Sequence, residues 1–235
     1  IASLCLKAGS ATILRGGKEA LQSNIVLGGI IRESLASAGL PEAAVQIIES
    51  SDRSIVSEML SLKQYIDLIV PRGGEELIRF VEANATMPVL IGGIGVCHTY
   101  VDAAADLEKA VRIVVNAKTR RFSICNALDT VVVHSAIAAS FLPKLADALA
   151  QKEVELRCDE RAYEILQGQD RITRATDADF GKEFLALVAS VKVVDSYDDA
   201  VDFIAEYSSG HSDAIVTEDY STAMRFLREV DTAVC

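Results

Sequence analysis

Thr119-Arg120-Arg121-Phe122-Ser123-Ile124-Cys125-Asn126-Ala127-Leu128-Asp129-Thr130 runs straight into Val131-Val132-Val133-His134, and this stretch decides the fold class. Upstream of it, Leu107, Ala110, Val111, Val114 and Val115 recur at i, i+3, i+4, i+7 and i+8. That spacing is an amphipathic helix, which ends at Lys118. Downstream, the β-branched run Thr130–His134 reads as a strand and Ala138–Ala150 as a helix. Helix, polar connector, strand, helix is the repeating unit of an α/β fold, with helices laid on the faces of a parallel sheet.

The same alternation extends both ways. In the first half, strands are expected at Ala11–Arg15, Val45–Ile48, Ile66–Val70 and Pro88–Ile91. Helices are expected from Lys18 to about Ser37, where Gly39 and Pro41 stop the chain, and over Ser54–Leu62 and Glu75–Asn84. Gly92-Gly93 closes this half, so two domains are expected, 1–93 and 94–235. In the second, strands are expected at Val96–Val101, Glu153–Arg157, Val191–Val194 and Ala214–Val216. Helices are expected at Glu160–Gln167, Asp199–Tyr207 and Asp219–Arg228, with a polar loop over Gly168–Asp177. The apolar opening Ile1–Leu6 and the unfinished strand Thr232–Cys235 read as cut ends.

With 235 residues, half of them hydrophobic, the chain can bury a sizeable core. No run reaches the roughly 18–20 apolar residues of a membrane span, and no signal peptide is read. A net charge of −11 argues against a nucleic-acid surface, while leaving room for a local cationic cluster to hold an anion. The five cysteines (Cys5, Cys97, Cys125, Cys158 and Cys235) are scattered without C-x-x-C spacing, and His98, His134 and His211 form no ligand pair. This pattern implies a reducing compartment and no metal site.

Two features carry chemistry. Cys125 follows Lys118, Arg120 and Arg121. A thiol attacks as thiolate, and nearby cations lower its pKa from the free value of about 8.5. Cys125 therefore has the surroundings of a nucleophile; the competing reading is a small buried hydrophobe. The second feature is an echo. Arg15-Gly16-Gly17-Lys18 and Arg72-Gly73-Gly74-Glu75 each lie between a strand and a helix start. Glycines admit a ligand to backbone N–H groups at a helix N-terminus, so each turn is a phosphate cradle or an ordinary βα turn. Lys18 makes the first the better candidate.

These residues also point to a family. Ile124–Thr130 resembles the active-site motif of the gamma-glutamyl phosphate reductases, also called glutamate-5-semialdehyde dehydrogenases, within the aldehyde dehydrogenase superfamily. Ile13–Ala20, Ile91–Asp102 and Ser209–Asp219 are similar to the same family, in the same order. The resemblance implies an aldehyde-dehydrogenase-like fold, with a Rossmann-type NADP-binding domain in 1–93 and an α/β catalytic domain in 94–235. It implies that further segments, among them a C-terminal arm, lie outside this chain, and that the complete protein is a cytoplasmic homo-oligomer without nucleic-acid or membrane partners.

The implied reaction is NADPH-dependent reduction of L-glutamyl 5-phosphate to glutamate 5-semialdehyde and phosphate, in proline biosynthesis. Cys125 is then the nucleophile, and Asn126 supplies a donor to the oxyanion or merely forms a turn. Arg120 and Arg121 are anion partners or a solvated basic patch. Arg15, Gly16, Gly17 and Lys18 fall where the superfamily binds the adenosine ribose, and a cation at Lys18 suits the 2′-phosphate of NADP. Arg72, Gly73 and Gly74 lie beside the pyrophosphate, and Glu183 matches the glutamate that holds the nicotinamide ribose. His98 and His211 contact substrate or only pack; Cys97 is core. The resemblance aligns Leu90 with the position at which oxidising aldehyde dehydrogenases carry a glutamate base. Without it a thioester is spared from water. The alternatives are a general NAD(P) aldehyde dehydrogenase and a noncatalytic fragment that pairs with other subunits.

Overall fold

A computed structural model describes residues 1–235, the side chain of Glu75 excepted. The chain divides into two compact units, Ile1–Ile91 and Gly92–Cys235. The break falls two residues before the expected boundary at 93. No helix among the described residues is long and apolar enough to cross a membrane.

The first unit contains α1 (Ala2–Lys7), β1 (Thr12–Leu14), α2 (Leu21–Ser37), β2 (Val45–Ile47), α3 (Ser54–Met59) and α4 (Glu75–Asn84). β1 and β2 pair in parallel, with Thr12 opposite Val45. α2 packs close to β2 because Gly28 is buried on it; a Cβ there would run into the Ile47 side chain. α2 is preceded by a 3-10 turn at Lys18–Ala20, so the expected helix starts in a tighter form. It ends as the sequence predicts. Gly39 takes φ +71°, Leu40 N–H donates to Leu35 O at 2.9 Å, and Gly39 N–H donates to Ala36 O at 3.0 Å, the paired bonds of a Schellman cap.

The strands expected at Ile66–Val70 and Pro88–Ile91 shrink to one parallel bridge, Ile69 to Val89. Ile66 N–H is spent on a turn bond to Leu62 O at 3.0 Å, and Pro71 and Pro88 bring no N–H to extend the ladder.

The second unit is built on a parallel sheet. Its strands are β3 (His98–Val101), β4 (Thr130–His134), β5 (Glu155–Cys158), β6 (Ile172–Arg174), β7 (Val188–Val194) and β8 (Asp213–Val216). Their order is β6-β5-β7-β4-β3-β8. On one face lie α5 (Leu107–Thr119), α6 (Ser135–Ala150) and α7 (Glu160–Leu166), burying Val114, Phe141, Leu145 and Leu166 against Val131, Val133 and Val191. On the other lie α8 (Asp177–Phe180), α9 (Tyr197–Tyr207) and α10 (Tyr220–Glu229), where Phe180, Phe203, Ile204 and Phe226 meet Tyr100 and Val132. β4 sits centrally, covered on both faces, and its first four residues are fully buried, which is why it reads as an unbroken β-branched run.

Three expectations need correction. β6 lies inside the stretch read as a loop. It is an edge strand with exposed Thr173 and Arg174, so no apolar alternation marks it. β7 starts at Val188, three residues before the expected Val191. The Thr232–Cys235 strand reduces to one parallel bridge, Ser212 to Val234.

Asp179 locks α8 to the sheet. Its carboxylate accepts from Thr176 N–H and Oγ1, both at 2.8 Å, and from Arg157 Nη1 at 2.5 Å. Burial alone would raise its pKa, but these bonds outweigh it and hold the carboxyl below its ordinary value. A lowered folded-state pKa contributes stability above the unfolded value of about 3.9 and loses it as pH falls through the folded one. Asp179→Asn should therefore cost about 1–3 kcal/mol at pH 7. Urea unfolding of both proteins should show that gap close toward pH 3; a gap independent of pH would refute the assignment.

Candidate active site

The connector between α5 and β4 folds as two successive tight turns. Ile124 N–H donates to Arg121 O at 3.4 Å and Ala127 N–H to Ile124 O at 3.0 Å. Cys125 and Asn126 occupy the two central positions of the second turn, and both are exposed. Ala127 and Leu128 then dive into the core. Cys125 is thus presented outward, while Cys97 and Cys158 are buried.

What holds the turn in place is backbone packing. A Cβ at Gly95 would collide with the Cys125 carbonyl, so the segment before β3 approaches the turn only because residue 95 is glycine. The Cys97 thiol donates to the Cys125 carbonyl at 3.3 Å. Burial pushes that thiol up to about 12, helped by the charges of Asp129 and Asp213 and then by Cys125 and Glu183. Cys97 is therefore a fixed donor, as its expected place in the core implies, and Glu183 and Cys125 both lie within its electrostatic reach.

Sheet order explains the gathering. Glu183 precedes β7, Cys125 precedes β4, Gly95 and Cys97 precede β3, and His211 precedes β8. These four strands are consecutive neighbours, so their amino-terminal approaches converge at one edge of the sheet.

Of the three cations expected around Cys125, Lys118 departs. It continues the buried line Ala110, Val114, Lys118 of α5, and its side chain is fully enclosed. Nζ donates to Leu128 O at 2.8 Å and lies 3.7 Å from Asp129 Oδ1. Asp129 Oδ2 accepts from Cys97 N–H at 3.3 Å, and Oδ1 accepts from Phe184 N–H at 3.0 Å. Burial pushes the Lys118 ammonium down and the Asp129 carboxyl up. Sequence reasoning gave neither residue this role. The signal was present in Lys118 standing four residues after Val114, on the apolar face. Arg120 and Arg121 remain exposed, with no charged partner among the described residues.

His98 is corrected out of the substrate-facing set. It is 1% exposed, and its Nδ1 pairs with Asp213 Oδ1 at 3.0 Å. Burial works against the Asp213 carboxylate, but the bonds from His98 and Ser208 win and lower its pKa. His98 belongs to a polar row that crosses the sheet in register: Arg157, Ser190, Thr130, His98, Asp213. His211 stays half-exposed, with Nδ1 2.9 Å from Ser212 Oγ.

The remaining candidates belong to the first unit. Arg15, Gly16 and Gly17 follow β1, and Arg72, Gly73 and Gly74 follow the Ile69–Val89 bridge, so each turn lies at the carboxyl end of an extended segment and before a helix. Arg15 Nη2 donates to Ser51 O at 2.9 Å, and its Nε is buried without a partner. Lys18 and Arg72 are exposed and free of ion pairs among the described residues. Unspent cations and an orphaned guanidinium N–H beside glycine turns fit an anionic, phosphate-bearing cofactor.

A scan against protein-family models matches the aldehyde dehydrogenase family over residues 2–164, and the chain belongs to that family. Among individual proteins, it is 52% identical over 235 residues to the gamma-glutamyl phosphate reductase of Dehalococcoides mccartyi, covering 99% of this chain and 55% of the relative. The crystal structure of gamma-glutamyl phosphate reductase from Thermotoga maritima superposes with a TM-score of 0.91 at 45% identity, covering 98% of this chain and 55% of that one. An engineered glycolyl-CoA reductase with bound NADP+ shares the fold, with a TM-score of 0.71 at 19% identity over 97% of this chain and 59% of that one. The chain thus spans about half the length of the curated relatives it matches.

Gly95→Ala tests how the turn is seated. The Cys125 backbone must move, so urea unfolding should show a loss of about 1–3 kcal/mol. Gly93→Ala is the control, because a Cβ there meets nothing within 4 Å. Equal stabilities of the two variants would contradict the close approach.

Proposed function

We propose that this chain carries the nucleophile and the nicotinamide-cofactor residues of a gamma-glutamyl phosphate reductase, which reduces L-glutamyl 5-phosphate to glutamate 5-semialdehyde. The exposure of Cys125 at the tip of a tight turn carries the reading, since a covalent mechanism needs an accessible thiol. The high identity to proteins of that name supports the substrate.

The Cys125 thiolate attacks the acyl carbon of the acyl phosphate. The C–O bond to phosphate breaks, inorganic phosphate leaves with the electron pair, and a thioester remains. Asn126 lies beside Cys125 with its amide free to donate to the developing oxyanion. Arg120 and Arg121 offer unpaired guanidinium groups to the departing phosphate or to the substrate carboxylate. Glu183 would hold the cofactor ribose, while Arg15, Gly16, Gly17 and Lys18 would hold the adenosine end, Lys18 offering its charge to the 2′-phosphate. Arg72, Gly73 and Gly74 line the pyrophosphate. NADPH, when bound, supplies the hydride that converts the thioester to the aldehyde and frees the thiolate. The family resemblance puts Leu90 at the position of the base in oxidising aldehyde dehydrogenases, which favours hydride transfer to the thioester over its hydrolysis. Five free thiols suit the reducing cytoplasm.

Cys125→Ser should reduce turnover by at least about a thousandfold while leaving NADPH binding intact. Unchanged rates would remove Cys125 from the mechanism. Lys18→Glu should move preference from NADP toward NAD by about tenfold or more in kcat/KM, since a carboxylate repels the 2′-phosphate. An unaltered ratio refutes that role. Run backwards with glutamate 5-semialdehyde and NADP, steady turnover should require phosphate. Turnover without it would point instead to an ordinary aldehyde dehydrogenase.

A further inference from the structure

We propose that Asp129, neutralised by Lys118, is the positioning residue that sets the spacing between the Cys125 turn and Glu183. The inference rests on the roles proposed for those two residues. Asp129 touches neither substrate nor cofactor; it acts through the segments it ties together.

Three stretches meet on this carboxylate. It continues the chain from Cys125, four residues downstream. Through Oδ2 it holds Cys97 N–H at 3.3 Å, and its own N–H donates to Cys97 O at 3.0 Å. Through Oδ1 it holds Phe184 N–H at 3.0 Å. Among the described residues, that is the single hydrogen bond to the stretch 182–186. Lys118, Lys182 and Arg157 lie 5.8, 5.6 and 5.3 Å from the Phe184 ring centroid, within cation–π reach. Leu185 follows in the left-handed region, with φ 50°. A residue without glycine's freedom in that conformation implies a stretch held from outside, and Asp129 is the group that holds it.

The Cys125 turn has its own supports. Gly95, the Cys97 thiol and the bond from Leu128 N–H to Ala117 O at 3.2 Å keep it seated without the Asp129 side chain. The Glu183 segment has no second hydrogen bond in reserve among the described residues, only the cations around the Phe184 ring. Loss of the carboxylate should therefore loosen the cofactor side of the site and spare the thiol side.

Asp129→Asn alone strands the Lys118 ammonium in the core and risks the fold. Lys118→Met combined with Asp129→Ala removes both charges, together with the acceptor oxygen that asparagine would keep on Phe184 N–H, and is the working variant. Three quantities are compared with the unaltered protein: amide hydrogen exchange at Phe184, alkylation of Cys125 by iodoacetamide, and KM for NADPH against kcat. Phe184 exchange should rise about tenfold or more and KM for NADPH about tenfold, with alkylation within about twofold. Unchanged Phe184 exchange would overturn the proposal. So would alkylation, KM and thermal stability deteriorating together, which is what a merely structural ion pair would give. If the unaltered protein shows no NADPH turnover, the proposed function fails, and Phe184 exchange alone then decides the positioning claim.

Discussion

A carboxylate sealed beneath the surface, at Asp129, is the constraint on which the rest of the second unit depends. Its side chain is 2% exposed and accepts backbone N–H groups from both sides, with a fully buried ammonium close by. Neither charge would be stable there alone, because desolvation of a lone ion costs several kcal/mol. Together they are tolerated because every bond they make ties down a different loop. A hydrophobic pair would pack the same space and leave those N–H groups unsatisfied.

The two units carry their candidate residues at opposite ends of their strands. In the first, both Arg-Gly-Gly turns follow extended segments, the usual place for a ligand in an α/β sheet, where helix N-termini offer N–H groups to an anion. In the second, the proposed nucleophile Cys125 comes before its strand. The neighbouring order β7-β4-β3-β8 gathers the approaches to those strands, and with them Glu183, Cys125, Cys97 and His211. Helix N-termini do not face that edge, so charge there must come from side chains. Arg120 and Arg121 are exposed there without an ion pair among the described residues.

Much of this was legible in residue order. The β-branched run of β4, the five-residue apolar stripe of α5 and the Gly39 stop of α2 act locally, through periodicity and allowed backbone angles, and they appear where expected. Local polarity around Cys125 left an exposed nucleophile and a buried hydrophobe both open, and the structure shows the thiol exposed. Long-range facts were not legible. The place of Lys118 on the apolar face is a signal but not a decision, because one cation on such a stripe looks the same whether it reaches solvent or a buried partner ten residues on. Nor could His98 be placed, since its partner Asp213 lies 115 positions away. The edge strand β6 escaped because its partner β5 covers only one side, so polar residues are allowed and the alternation that marks a strand is lost. Ile66–Val70 misled in the other direction, being apolar enough for a strand but flanked by Pro71 and faced by Pro88.

The central claim is that Cys125 forms a thioester which no protein-activated water removes. It is tested most directly by supplying glutamate 5-semialdehyde and NADP with phosphate left out, quenching in acid, and mapping acylated cysteines by peptide mass spectrometry. A glutamyl group accumulating on Cys125 and absent from Cys97 and Cys158 is the expected result. An unmodified Cys125 alongside steady formation of NADPH and free glutamate would contradict it.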